Sequence, residues 1–559
     1  MTESAPPVPP SPTTQVDRIF PTLTPAQIAR IAAHGSVRPI QPGEVLIEAG
    51  DQAWPFFLVT AGRVDVIRRS GTTETRFAVY GPGQFTGEVN MLSGRHALVR
   101  VRAAEPGAVI MLTRERLLAL VQTDTELGEI ILRAFILRRV ELIAHGISDA
   151  VVLGSRHCAG TLRVREFLTR NSYPYSYVDL DRDTGVQALL DQFHITPADV
   201  PVVICRGEIV LRDPTNSQIA DCLGFNEAID PGQLRDLVVI GAGPAGLAAA
   251  VYGASEGLDV LVVEADAPGG QAGSSSRIEN YLGFPTGISG QELTGRAYAQ
   301  ALKFGTDLLA AKGAVRLDCT RKPYAVEIAE GPRVSARAIV IATGAEYRKL
   351  ALPNLAAFEG AGVYYGATFI EAQLCAGEEV IVVGGGNSAG QAAVFLAETA
   401  ARVHLLVRST GLAATMSRYL IRRIEHHPTI ALRTQAELMG LEGNGHLEGV
   451  HVRDGRSGRI EAHAIRHVFV MTGAAPSTRW LAGCVALDPK GFIKTGPDLL
   501  PEDLTAAQWP LARAPRLLET SVPGVFAVGD VRAGSVKRVA SAVGEGSITV
   551  SFVHQALRE

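Results

Sequence analysis

The sequence predicts a multidomain protein: a β jelly roll, then a small α/β unit, then two doubly wound α/β units. Three observations carry that expectation. Short β-like runs punctuated by glycine fill residues 38–112, a strand, helix and strand alternate over 150–224, and from Asp236 onward strand, glycine loop and helix recur. At 559 residues the chain is too long for one hydrophobic core, because single cores stop growing beyond about 250–300 residues.

Composition excludes several classes. Hydrophobic residues make up 47% and charged residues 20%, as in ordinary globular proteins. The formal charge of −4, with both signs interspersed, offers no broad field to nucleic acid or to an anionic membrane, so small-molecule or protein partners are expected. The opening MTESAPPVPPSP lacks a basic segment followed by an apolar run and reads as a flexible proline-rich tail. The apolar runs at 236–240 and 380–383 have the length of buried strands, far short of a membrane span. Six scattered cysteines do not make a disulfide scaffold, which points to a reducing cytoplasm, and no metal site is expected.

In the N-terminal region PGEVLIEAGD, FFLVTAGRVDVI and FAVYGPGQFTGEVNML read as strands joined by glycine turns. Helical patterns follow at 114–121 and 127–143. With GQFTGEVNMLSGRHALVRVRA, this region resembles a cyclic-nucleotide-binding domain. The resemblance implies that Glu88 binds a ribose and the backbone near Gly87 a phosphate. It departs where the family places an arginine against that phosphate, because the position holds Ala97; Arg95 stands two residues away. A phosphate without that charge-assisted contact loses about 2 kcal/mol, so weak or absent cyclic-nucleotide binding is expected. No helix-turn-helix follows, which leaves a DNA-binding role without a reader.

The middle run VVLGSRHCAGTLRVREFLTRNSYPYSYVDLD has a strand, a cysteine loop, a helix and a strand, and resembles the opening of a glutaredoxin. By that resemblance the family's Cys-x-x-Cys falls on Cys158 and Thr161, a monothiol variant, and DVPVVI places Pro201 opposite Cys158. A cysteine that begins a helix has its thiolate favoured by the free N–H groups there, so Cys158 is the candidate nucleophile. The alternative is a spacer domain that merely keeps a cysteine. Cys205 and Cys222 read as buried or incidental.

The strongest motif is LVVIGAGPAGLAAAVYGASEGLDVLVVEA, where Gly241, Gly243 and Gly246 follow an apolar strand and open a helix through Pro244 and Ala245. The three glycines serve a tight turn, backbone approach to a pyrophosphate and helix–strand packing, and Glu264 ends the second strand where a carboxylate binds ribose hydroxyls. A second copy, EEVIVVGGGNSAGQAAVFLAETAARVHLLVRS, sets Gly384, Gly386 and Ala389 at the same spacing with Asn387 and Ser388 between them. Two such units mean two dinucleotides. The second copy's strand ends in Val407 and Arg408 instead of an acid, which favours NADPH over NADH through pairing with the 2′-phosphate. Arg418, Arg422 and Arg423 are further candidates, with a solvated basic face as the alternative.

From Asp236 to the C-terminus the chain resembles thioredoxin reductase, on GAGPAG, PGGQAGSSSRIENYLGFPTGISGQEL, IVIATGA, VVGGGNSA and PGVFAVGDVRAGSVKRVASAVGEGS. The resemblance implies FAD along Gly270, Gln271 and Asn280, with Thr343 and Gly344 at the second crossing. Gly529 precedes Asp530, which takes the ribityl chain, and Lys537, Arg538, Val539 and Ala540 present backbone N–H groups to the isoalloxazine. It also implies a homodimer. The departure is at the redox pair: in GVYYGATFIEAQLCAGEEVIVVGGG the family's two cysteine positions hold Gly366 and Phe369, which cannot perform thiol–disulfide exchange. Cys375 alone cannot supply both roles and reads as structural.

The expected organisation is a tail over 1–16, a cyclic-nucleotide-binding-like domain over 17–148 and a glutaredoxin-like domain over 149–226. The FAD-binding domain follows in two parts, 235–352 and 478–559, with an NAD(P)H-binding domain over 353–477 between them. The expected function is hydride transfer from NADPH to FAD, then electron delivery to a small-molecule or small redox-protein acceptor. Two alternatives stay open: a disulfide or mixed-disulfide reductase working through Cys158, and a redox or ligand sensor governed by a nucleotide-like effector at the N-terminal domain.

Overall fold

A computed structural model describes residues 15–52, 54–70, 73–144, 150–183, 190–191, 195–196, 199–206, 209–481 and 483–559. Residues 1–14 of the proline-rich tail lie outside this set; Gln15 and Val16, assigned to the tail from sequence, instead begin a helix, Gln15–Ile19. The chain divides into two compact units, Met1–Asp149 and Ala150–Glu559.

The first unit holds two antiparallel sheets. One orders Ser36–Ile40, Gly107–Leu112 and Phe56–Ala61; the other orders Val45–Ile47, Arg100–Ala103, Val64–Ser70 and Thr73–Tyr80. Phe56, Phe57, Leu58 and Val59 are all fully buried, so this strand sits at the centre of the apolar filling, as a continuous hydrophobic run should. Helices Arg114–Thr123, capped by Thr113, and Thr125–Ala144 follow the strands. Phe135 of the second helix lies where a Cβ on Gly87 would be 2.6 Å from its ring, so the helix closes on the Gly87 loop.

In the second unit the middle segment forms a four-stranded sheet in the order Ile209–Arg212, Val202–Cys205, Ala150–Gly154, Ser176–Asp179. Ala150–Gly154 runs parallel to Ser176–Asp179 and antiparallel to Val202–Cys205. Helices Ala159–Arg170 and Asn216–Cys222 accompany it, and the Val200–Pro201 peptide is cis.

A seven-stranded sheet follows. Its parallel core is Asp307–Leu309, Val260–Val263, Leu234–Ile240 and Arg333–Ile341, and Val525–Ala527, from near the C-terminus, pairs with the last of these. That pairing makes the domain discontinuous. Helix Val539–Ala556 packs on Pro244–Ser255 so closely that a Cβ on Gly546 would be 2.2 Å from the Ala245 carbonyl. The inserted domain has a parallel sheet ordered Val363–Tyr364, His467–Val470, Glu379–Val383, Arg402–Val407, Ile430–Thr434, plus a three-stranded antiparallel sheet. The chain crosses out through Ala345–Tyr347 and back through Ala474–Pro476, which pair with each other.

One expectation from the cysteines needs correction: Cys319 and Cys484 form a disulfide across 165 residues, joining the two parts of the discontinuous domain. A separation that long gives no spacing signal, so sequence reading assigned neither residue a partner. Among the described residues no helix is long and apolar enough to cross a membrane, and no group of three or more His, Cys, Asp or Glu could hold a metal.

Candidate functional site

The first glycine loop shows why each residue is a glycine. Gly241 has φ +103°, and a Cβ there would be 2.4 Å from the Ala342 carbonyl; at Gly246 it would be 1.8 Å from the Gly241 carbonyl. At Gly243, the N-cap of Pro244–Ser255, a Cβ would meet nothing nearer than the Gly270 Cα at 3.9 Å. Two glycines are thus required by packing, while the middle one keeps open space against the helix N-terminus, where a pyrophosphate fits. Gly344 is likewise in open space at φ +65°, and Thr343 donates its hydroxyl hydrogen to the Ser477 carbonyl at 2.9 Å.

Glu264 follows strand Val260–Val263. Its carboxylate accepts from Ala242 N at 2.6 Å and from Asp266 N at 3.0 Å, and burial pushes its pKa above the usual range. Asp266 is held in turn by Arg170 and by Asn216 Nδ2, both from the middle segment. Gln271 donates its side-chain amide to the Ala345 carbonyl. Asn280 is exposed.

Asp530 is half-buried, and burial raises its pKa against the opposing pull of Lys537. Glu545, which sequence reading missed, fixes the adjoining loop: it accepts from Gly529 N at 2.7 Å and from Arg532 at 2.6 Å. Arg538 caps helix Val539–Ala556, and Lys537, Arg538 and Ala540 are exposed, so the first N–H groups of this helix face open space.

The second loop repeats the pattern. Gly384 has φ +148°, and a Cβ there would be 2.4 Å from the Met471 carbonyl, whereas a Cβ on Gly386 would meet nothing within 4 Å. Gly386 caps helix Asn387–Leu396, in which Ala389 is fully buried. Asn387 Oδ1 accepts from Ser417 N at 2.7 Å. Arg408 follows strand Arg402–Val407 and is exposed. Arg423 donates to Glu279 at 2.6 Å, so it is already engaged by a loop of the discontinuous domain.

Residues beside both loops line one cleft of about 980 Å³: Gln271, next to the Gly270 that faces Gly243, and Ser388, two residues after Gly386. Its walls bring together Gln271 and Ser274–Ser276, Tyr347 and Ser388, the segment from Tyr364 to Phe369, and one face of helix Ala159–Arg170 through Leu162, Arg165, Glu166, Thr169 and Arg170. Tyr347 hydrogen-bonds Ser388 and feels the charge of Asp530, which brings the second glycine loop near the Asp530 turn. Gly366 faces open space, its nearest neighbour to a Cβ being Thr368 at 4.0 Å. Phe369 is 68% exposed at the start of helix Phe369–Leu374, which Thr368 caps with Glu371.

No free thiol lines the cleft. Cys158 caps helix Ala159–Arg170 and is half-buried, but the helix turns its later residues to the cleft. Pro201 packs against the first turn of this helix, where a Cβ on Gly160 would be 2.8 Å from the proline ring. Cys205 and Cys375 are buried, Cys222 is half-buried, and burial pushes the Cys375 thiol up to about 12.

In the N-terminal unit Glu88 is buried, accepting from Asn90 N at 3.0 Å and facing Arg139 at 3.4 Å, and burial raises its pKa. Ala97 is 2% exposed, and its backbone bonds Asp51 and Gly50. Arg95 is buried too, close enough to lower the Glu88 pKa.

Comparison with known proteins agrees with this geometry. Residues 235–546 match the family "Pyridine nucleotide-disulphide oxidoreductase", and residues 37–124 match "Cyclic nucleotide-binding domain". The chain is 32% identical over 327 residues to thioredoxin reductase of Bacillus subtilis, covering 58% of this chain and 96% of that protein. It is 32% identical over 359 residues to NADPH-dependent thioredoxin reductase 3 of Arabidopsis thaliana, covering 61% and 64%. Among solved structures it is similar to Lactococcus lactis thioredoxin reductase in its FR conformation, with a TM-score of 0.52 and 26% identity over 58% of this chain and 99% of that one. The T. acidophilum thioredoxin reductase gives a TM-score of 0.51 and 27% identity over 58% and 98%.

Proposed function

The chain belongs to the pyridine nucleotide-disulphide oxidoreductase family, and from that premise we propose that it transfers hydride from NADPH to FAD and passes the electrons to an acceptor bound in the cleft. The observation that carries this reading is the pair of open glycines, Gly243 and Gly386, each capping a helix that follows a parallel strand, with Gln271 and Ser388 from the adjoining segments in the walls of one cleft. FAD supplies the two-electron chemistry, and the protein's share is binding and orientation. Gly243 leaves room for the pyrophosphate and Glu264 offers its remaining lone pairs to the ribose. Asp530 stands for the ribityl chain, and residues 537–540 give a ring of N–H groups to the isoalloxazine. Gly386, Asn387 and Ser388 receive the nicotinamide nucleotide, with Arg408 exposed for a 2′-phosphate.

The six cysteines contain no pair at Cys-x-x-Cys spacing. Gly366 and Phe369 stand at the two positions the family uses, so electrons leave the cleft without a local thiol relay. The middle segment is a glutaredoxin-like domain, supported by its sheet order, by Cys158 at the start of a helix and by the cis Pro201 against the first turn of that helix. It serves as a wall of the cleft, because the face it presents there carries no thiol. The N-terminal unit is a cyclic-nucleotide-binding-like module whose Ala97 gives a cyclic phosphate no cation. A homodimer completes the reading.

An anaerobic NADPH titration of the purified protein tests it. The protein should be yellow and should bleach at one NADPH per FAD. A folded protein that refuses FAD would sink the proposal.

A further inference from the structure

Two carboxyls from different parts of the chain meet in the wall of the cleft. Glu371 is fully buried, and its Oε2 accepts from the Thr368 N–H at 2.7 Å and from the Thr368 hydroxyl. Its other oxygen is shut off from water and receives no N–H group or cation. From helix Ala159–Arg170 the Glu166 carboxyl comes within hydrogen-bonding reach of the Glu371 carboxyl. Two ionised carboxylates cannot occupy that space together, whereas one shared proton satisfies both.

The surroundings favour keeping the proton. Arg170 is the cation acting on Glu166, but it is already spent on Asp266, whose own charge opposes ionisation of Glu166. Arg165, on the same helix, places its guanidinium over the Tyr177 ring at 4.1 Å. From the inserted domain Tyr364 faces the pair as a neutral phenol, its pKa raised by burial and then by the charges of Glu371, Cys375, Glu378 and Glu166. Burial first, then the hydrogen bond and charge of Glu371, push Glu166 well above the usual carboxylate range. An ordinary glutamate is ionised at neutral pH and has no proton to give.

Resting on the flavin reading above, we propose that Glu166 is the proton donor to an acceptor of the quinone class in this cleft, and that Glu371 is the positioning residue that keeps it protonated. The acceptor class follows from the lining: Tyr364, Tyr365 and Phe369 offer aromatic faces, Gly366 leaves space beside them, and no thiol is at hand for disulfide exchange. A quinone becomes a hydroquinone by gaining two electrons and two protons. A hydride equivalent from the reduced flavin brings both electrons and one proton. The second proton comes as the Glu166 O–H bond breaks and the hydroquinone O–H bond forms, and water entering the cleft then reprotonates the carboxyl pair. Proton donation by a placed acid is worth about 10²–10⁴-fold in rate.

The test compares two acceptors in the same FAD-loaded protein: a benzoquinone, which needs protons, and ferricyanide, which takes one electron and none. In Glu166→Gln the ratio of quinone to ferricyanide turnover should fall about 10²-fold. In Glu371→Gln the ratio should begin to fall at a lower pH than in the unaltered chain, because Glu166 then ionises earlier. Independently of turnover, an infrared difference spectrum between the unaltered chain and Glu166→Gln at mildly alkaline pH should show a neutral-carboxyl band. An unchanged ratio, or no such band, overturns the assignment of Glu166 and leaves the flavin reading standing; a chain that binds FAD but is not reduced by NADPH overturns both.

Discussion

Arg423 Nη1 lies 2.6 Å from Glu279 Oε2, and this contact joins the inserted domain to a loop of the discontinuous domain that also contributes Gln271. Nicotinamide must stack on the flavin at about 3–3.5 Å for hydride transfer, so a contact that sets the angle between the two domains bears on the rate. Arg423 is half-exposed, and such pairs are worth less than about 1 kcal/mol and weaken with salt. Arg423→Ala should therefore leave the melting temperature nearly unchanged. Stopped-flow reduction by NADPH should vary with ionic strength in the unaltered protein, and the variant should show the high-salt rate at low salt. Equal salt dependence in both would mean the pair does not set the domain angle.

Engagement of Arg423 leaves Arg408 as the exposed cation directly after strand Arg402–Val407. A charge-assisted bond to a phosphate is worth about 1.5–3 kcal/mol, or roughly tenfold and more in affinity. NADPH should be preferred over NADH in kcat/KM, and Arg408→Ala should narrow that preference by about tenfold, mostly through KM. Identical kcat/KM for the two nucleotides before mutation would remove Arg408 from the site.

Gly243 and Gly246 should separate binding from folding. A methyl on Gly243 finds space, but it fills the room proposed for the pyrophosphate; a methyl on Gly246 would sit 1.8 Å from a backbone oxygen. Gly243→Ala should give a folded protein with little FAD, read from its visible absorbance and far-ultraviolet circular dichroism. Gly246→Ala should lose about 1–3 kcal/mol of stability. A fully yellow Gly243→Ala would place the pyrophosphate elsewhere.

The contrast between these glycines and the rest of the site shows what the sequence can disclose. A glycine loop is legible because its spacing sits in one short stretch of sequence, Gly241, Gly243 and Gly246 between an apolar strand and a helix, even though Gly241 packs against the Ala342 carbonyl at the end of a distant strand. Helices expected at 114–121 and 127–143 were legible for a similar reason, and Thr113 and Asp124 bound them close to those limits. What stayed hidden depends on partners far along the chain. Glu545 acts on Gly529 only because a helix folds back, Arg170 reaches Asp266 across 96 residues, and Glu166 meets Glu371 only when the middle segment docks on the inserted domain. The Cys319–Cys484 disulfide is the extreme case. Residue type announces none of these contacts, since each pairing is fixed by the tertiary fold.

The C-terminal Glu559 gives a pH dependence with a definite sign. Its carboxylate accepts from Arg513 at 2.7 Å and from Arg516 at 2.6 Å, and these bonds hold its pKa down to about 2 from 4.5. A depressed pKa means the contribution is present above the unfolded value and is lost as pH falls through the folded one. Between about 4.5 and about 2, the end of helix Val539–Ala556 should loosen. Amide exchange in this helix should quicken over that window, and Glu559→Gln should show fast exchange already at neutral pH. Exchange in the variant that matched the unaltered chain at neutral pH would show the two arginines hold nothing.

The last prediction concerns Gly366 and Phe369, because the structure leaves room for what the sequence lacks there. A Cβ on Gly366 meets nothing closer than 4.0 Å, and its φ lies outside the left-handed region, so cysteine fits without strain. Phe369 begins a helix and is largely exposed, so a thiol in its place would sit where free N–H groups favour the thiolate. Gly366→Cys with Phe369→Cys should therefore fold and form a disulfide within the pair. NADPH should reduce that disulfide through the flavin, which thiol labelling before and after an anaerobic NADPH addition would count as two new reactive thiols. The unaltered chain should gain none in the cleft, and its reduced spectrum should lack a thiolate-to-flavin charge-transfer band. If the double variant folds and binds FAD yet its disulfide stays closed under excess NADPH, then residues 366–369 do not face the flavin, and the electron path proposed for this cleft is misplaced.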